Sequence, residues 1–206
     1  MYNEVLTEKQ RELLSLIKLF SKDYYLVGGT AIALYIGHRR SVDFDLFTTR
    51  DIKRKSIRNL IEKSGFVAEN LLYEAFDQIH LVVNSVKITF FNFPYKIDHP
   101  MDFNGIITIP RLLDLAALKT YALGKRAKWK DYVDLYFILK NHHGLKEISN
   151  RAADIFGVYF NEKLFREQLC FFDDIDYSEK IEYMYDEVDE EEIKKVLIDI
   201  ATTRFT

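Results

Sequence analysis

The stretch YYLVGGTAIALYIGHRRSVDFDLF, residues 24–47, decides how this chain folds. Tyr24, Tyr25, Leu26 and Val27 make a short apolar, β-prone run that stops at Gly28-Gly29. Residues 30–36 are apolar and alanine-containing, which predicts a short helix. Residues 37–41 form a polar, basic loop holding His38, Arg39 and Arg40. Residues 42–47 then alternate Val, Asp, Phe, Asp, Leu, Phe, which predicts a strand with Asp43 and Asp45 on one face.

Two features of this stretch carry chemistry. Glycines between a strand and a helix let a ligand approach the backbone, and the amides that open the helix suit an anion. Alone, a Gly-Gly pair is more often only a turn. Carboxylates at i and i+2 of a strand stand about 6.6 to 7 Å apart along it. Their oxygens can converge on a divalent cation, or on the close pair of cations that serves in-line phosphoryl transfer. The competing reading is the polar face of an edge strand, where two like charges repel without a cation.

Outward from this stretch, Thr7 and Gln10 match a capping box ahead of Leu13, Leu14, Ile17 and Phe20 at helical spacing. Thr49 is a candidate cap for a helix over residues 52–63, basic on its exposed side and ending at Gly65. Strands are expected over residues 66–72, 78–83 and 86–91, the last two joined by an Asn84-Ser85 turn, with a short extended piece at 106–109. Pro110 suits the first turn of a helix running to about residue 123. Helices follow over residues 130–140, 146–156, 162–172 and 189–201. The expected fold is therefore α+β: a small mixed β-sheet core with flanking helices over residues 1–109, then a helical part over residues 110–206.

Composition sets limits on function. The chain has 206 residues, 48% hydrophobic and 30% charged, which excludes an intrinsically disordered polymer. Its single cysteine, Cys170, excludes a disulfide framework and a cysteine-based zinc site. No apolar run approaches the roughly 20 residues of a membrane span, so no membrane partner and a cytoplasmic location are expected. The net charge of −3 hides an asymmetry: residues 173–192 hold 11 acidic residues against one lysine, while residues 1–172 are net basic. A basic body permits a polyanionic ligand without requiring one.

A second motif lies in the helical part. Lys119 precedes the basic connector Lys125, Arg126 and Lys128, and then comes KDYVDLYFIL, residues 130–139. Asp131 and Asp134 are at i and i+3, hence on one helical face. Each has an ordinary alternative: Asp131 as a helix cap, Asp134 as a partner of Lys130 or Lys128, Lys119 as a surface lysine.

Residues 24–47 and 130–139 together closely resemble the AbiEii/AbiGii toxin-like nucleotidyltransferases of the DNA polymerase β-like nucleotidyltransferase superfamily. The resemblance spans most of residues 1–140. It implies a nucleotide site in which Gly28, Gly29 and Thr30 meet phosphate, and Asp43 and Asp45 hold Mg2+ or Mn2+. It implies that Lys119 neutralises the triphosphate of an NTP, with Arg39 and Arg40 as further candidates. Asp131 would act at the metal site or as a base, with Asp134 second. It also implies an RNA acceptor (a tRNA end among them) or a protein hydroxyl, and a cognate antitoxin as partner. One departure stands out: many superfamily enzymes carry a third carboxylate on a strand after the hairpin, where this chain has Thr89. A catalytically degenerate nucleotide- or protein-binding module is the competing reading. A DxD glycosyltransferase is weaker, since it does not require Gly28-Gly29 or the later Lys-Asp-x-x-Asp.

Overall fold

The structure is a computed structural model that describes residues 1–203. It is an α+β fold that divides into two compact units at the Arg111–Leu112 junction. The first unit carries α1 (Glu8–Glu12), α2 (Leu14–Phe20), β1 (Tyr25–Val27), α3 (Gly28–Ile36), β2 (Phe44–Thr48), α4 (Arg54–Lys63), β3 (Ala68–Glu74), β4 (Gln78–Val83) and β5 (Val86–Asn92). A small hairpin, β6 (Met101–Phe103) and β7 (Ile107–Ile109), ends it.

Five strands form one sheet in the order β1-β2-β5-β4-β3. Only the β2–β5 pair is parallel; the others run antiparallel. The alternation read from the sequence sorts the two faces. Phe44, Leu46, Ile79, Leu81, Ile88 and Phe90 are buried on one of them. There Phe20 at the end of α2 meets Phe90 edge-on at 4.8 Å. Each such apolar side chain stabilises the fold by about 1.5–3 kcal/mol on full burial. The register Val27↔Asp45, Asp45↔Thr89 and His80↔Thr89 lays four residues in a row across the opposite face. The next row along the strands is aromatic, with Tyr25 paired to Phe47 and Phe47 to Phe91.

Local chemistry explains the turns. Thr7 and Gln10 form the capping box of α1. Asn84 and Ser85 both have positive φ, 50° and 64°, as a two-residue hairpin of this twist requires. The helix after β2 differs from expectation. It starts at Arg54 behind Lys53 with no side-chain cap, and the hydroxyl of Thr48, not Thr49, accepts from the Arg50 amide at 3.1 Å. The piece expected at residues 106–109 turns out to be half of a hairpin, whose turn uses Asn104 and Gly105 at φ 52° and 66°.

The second unit is helical: α5 (Leu112–Leu123), α6 (Trp129–Asn141), α7 (Leu145–Phe156), α8 (Glu162–Leu169) and α9 (Glu190–Thr202). Tyr132, Val133, Leu135, Tyr136 and Ile138 of α6 are buried in its core. Between α8 and α9 the acidic segment pairs with the start of α6, exchanging backbone bonds Trp129 N to Asp176 O (3.1 Å) and Asp176 N to Ala127 O (2.7 Å). No helix among the described residues is long and apolar enough to cross a membrane.

Candidate active site

Gly28 opens α3 at φ +74°, a backbone conformation that costs a residue with a Cβ about 1–2 kcal/mol. A second constraint applies at the same atom. A Cβ at Gly28 would overlap Asp45 Oδ2 and lie 3.1 Å from Asp45 Cγ. The glycine and the strand carboxylate therefore touch. At Gly29 a Cβ would lie 2.6 Å from Arg39 Nη2 and 3.0 Å from Ser41 Oγ, so the basic loop closes over the diglycine turn.

Thr30 is buried, and its hydroxyl donates to the Asp43 carbonyl and shares a 3.0 Å hydrogen bond with Ser41 Oγ. Gln10 Nε2 also donates to that carbonyl, at 3.4 Å. Asp43 lies one residue before β2, and these bonds fix its backbone where no strand ladder does. Arg39 is buried, its Nη1 donating to the Arg40 carbonyl at 3.0 Å; Arg40 Nη1 reaches the Leu6 carbonyl at 3.5 Å. Gly28, Gly29, Thr30, Arg39, Asp43 and Asp45 thus gather at one end of β1 and β2.

Lys87 joins the site although no motif in the sequence marks it. Its ammonium sits 3.2 Å from Asp43 Oδ2, with a third of the lysine side chain exposed. The signal was present in the alternation: Lys87 is two residues from Thr89 on β5, hence on the carboxylate face. Thr89 lies directly beside Asp45 in the parallel register.

The donor set suits a divalent cation. Asp43 and Asp45 present hard oxygens to one side of the sheet, and Lys87 already places a positive charge on one of them. No group of three or more His, Cys, Asp or Glu gathers to hold a metal among the described residues. An ion here would take two protein carboxylates and complete its shell from phosphate and water, as Mg2+ commonly does.

In the second unit, the later motif folds into a buried ionic cluster. Lys119 Nζ on α5 lies 2.5 Å from Asp131 Oδ1 and 2.6 Å from Asp134 Oδ2, and both carboxylate side chains on α6 are fully buried. Arg126 Nε stands 3.4 Å from Asp131 Oδ2. The i, i+3 spacing delivers both carboxylates to one lysine. Lys128 and Lys130 flank this cluster in sequence, and both grip Glu179 of the acidic segment.

Comparison with known proteins adds the family. Residues 13–203 match the model of the nucleotidyl transferase AbiEii toxin of type IV toxin–antitoxin systems. An uncharacterized Aquifex aeolicus protein, aq_aa25, is 31% identical over 195 residues, covering 90% of this chain and 93% of the relative. The fold is similar to that of MenT4, a nucleotidyltransferase toxin of Mycobacterium tuberculosis (TM-score 0.66, 14% identity, 94% of this chain and 82% of that one). It is also similar to JHP933 of Helicobacter pylori (TM-score 0.59, 16% identity, 95% and 91%). With its diglycine turn set against Asp45, this chain belongs to the AbiEii nucleotidyltransferase toxin family.

Proposed function

We propose that this protein transfers a nucleoside monophosphate from an NTP to a hydroxyl of RNA, with a tRNA end or a protein hydroxyl as related acceptors. The contact between Gly28 and Asp45, with Asp43 on the same side of the sheet, carries this reading. The acceptor oxygen bonds to the α-phosphorus, the bond from that phosphorus to the bridging oxygen of pyrophosphate breaks, and the acceptor proton leaves to a base. Mg2+ or Mn2+ at Asp43 and Asp45, when bound, would neutralise charge on the phosphates.

The chain's own residues divide the remaining work. Gly28 and Gly29 let Asp45 and Arg39 close onto the start of α3, whose amides favour an anion. Arg39 supplies positive charge beside that turn, and Arg40 follows it in the same loop. Lys119, Asp131 and Asp134 form their own buried ionic cluster within the second unit. As a member of a toxin family, the protein has a separately encoded antitoxin as its expected partner.

Incubation with each α-labelled NTP and total cellular RNA tests the proposal. RNA or protein gains label with the wild type and not with Asp45→Ala of unchanged circular dichroism. Equal labelling by that variant removes Asp45 from the mechanism. The second reading, nucleotide binding without turnover, draws on Thr89 beside Asp45 where a carboxylate would complete the set. Calorimetric NTP binding with no pyrophosphate release would select it.

A further inference from the structure

The proposed transfer site leaves one feature of the first unit unused. A groove of about 610 Å³ runs past the start of β1 and the finish of β2, the other end of these strands from Gly28 and Asp43, lined by Lys22, Tyr25, Arg50, Lys96, His99 and Arg111, among others. Tyr25 faces the same side of the sheet as Asp45, because it pairs with Phe47 one row along from the Val27–Asp45 pair. Along the strand that is about 7 Å.

Two observations give the groove a chemistry. Arg50 is paired with Asp23, but Lys22, Lys96 and Arg111 are exposed and have no ion-pair partner among the described residues. Asp98 is the one other carboxylate in the lining. In its lining Tyr25 and His99 stack at 4.5 Å with their planes 8° apart, His99 being exposed and its Nδ1 2.8 Å from Thr108 Oγ1. The Tyr25 hydroxyl is buried and has no hydrogen-bond partner among the described residues. Spaced unpaired cations around an exposed stacking ring suit one ligand class, single-stranded nucleic acid: cations for phosphodiesters, a ring for a base.

We propose that this groove binds the phosphodiester backbone of a single-stranded RNA acceptor, beside the transfer site. The inference rests on the RNA-acceptor reading above and extends it to a second site. An acidic protein would use the cations but not the stack.

The test measures fluorescence anisotropy of a short labelled single-stranded RNA across a series of KCl concentrations. The full chain is compared with the triple variant Lys22→Gln, Lys96→Gln, Arg111→Gln, and with His99→Ala. At about 0.7 of log–log salt slope per phosphate contact, the triple variant should bind with a slope shallower by about 2 and an affinity at least tenfold weaker at low salt. His99→Ala should weaken binding about fivefold or more with the slope unchanged, since stacking is not screened. Binding of a fluorescent NTP should stay as in the wild type for both.

Wild-type slope and affinity in the triple variant would overturn the groove. So would displacement of the RNA by polyglutamate as readily as by unlabelled RNA. If the wild type labels RNA yet these variants do so with unchanged KM, the groove falls and the transfer reading stands. If RNA binds through the groove but no RNA is ever labelled, the groove stands and that reading falls.

Discussion

Gly28 and Asp45 lie in direct contact, with the carboxylate occupying the space that a Cβ on Gly28 would need. Gly28→Ala therefore carries two costs, the positive φ and the displacement of Asp45. Gly65 supplies the control, because it has φ +85° and open space around it. Gly65→Ala should lose only the conformational cost, about 1–2 kcal/mol. Gly28→Ala should lose more than that in urea melts and should also lose NTP transfer. Equal destabilisation by both variants, with activity retained, would mean that the contact is slack.

Lys87 and Asp43 make the second relationship to test. The lysine ammonium competes for the oxygen that a divalent ion would use. Lys87→Met should therefore bind Mn2+ more tightly, by about three- to tenfold, or up to ~1.4 kcal/mol, since the pair is partly solvated. Titration of free Mn2+ by electron paramagnetic resonance reads this without turnover. Weaker Mn2+ binding in the variant would instead make Lys87 a support for the Asp43 geometry.

The Lys119 cluster makes a prediction about stability. Lys119→Met would leave Asp131 and Asp134 buried without their shared cation. Breaking a buried ionic set in this way typically destabilises by about 3–5 kcal/mol. Chemical denaturation should show that loss. A change under about 1 kcal/mol would mean that water or Arg126 replaces the lysine.

The parts of the fold that are local in sequence were legible before the structure. The diglycine stretch, the alternating Asp43-Phe44-Asp45 run and the Asn84-Ser85 turn depend on neighbouring residues; the turn forms as read, while the helix already opens at Gly28 and the strand begins at Phe44, one residue after Asp43. Asn104-Gly105 is an equally local hairpin signal, but the strands it joins are only three residues each, too short to show an alternation. The destinations of long cations were not legible. Arg54 and Arg58, on the basic exposed side of α4, both reach Glu74 on β3. Lys128 and Lys130 turn to Glu179, about fifty residues on. Sequence spacing fixes which face a side chain leaves from, whereas its partner is set by tertiary neighbours.

Glu179 provides the last prediction, a pH dependence with a built-in reporter. Partial burial alone would raise its carboxyl, but hydrogen bonds and charge from Lys128 and Lys130 outweigh that and hold it at about 2. A carboxyl with a folded value below its unfolded one, about 4.3, contributes stability that is complete above that unfolded value. The contribution fades as pH falls from there through about 2. Trp129, the single tryptophan, packs at 5.3 Å against Tyr177 in the same segment. Its emission should therefore change across that acid window as the segment leaves α6. Glu179→Gln should show the released emission already at neutral pH. High salt should weaken the wild-type attachment too, because the glutamate is more than a third exposed and screening reaches it. A Trp129 signal that is flat with pH, identical in Glu179→Gln and indifferent to salt would place the hold on the segment in its backbone bonds to Ala127 and Trp129 rather than in the lysine pair.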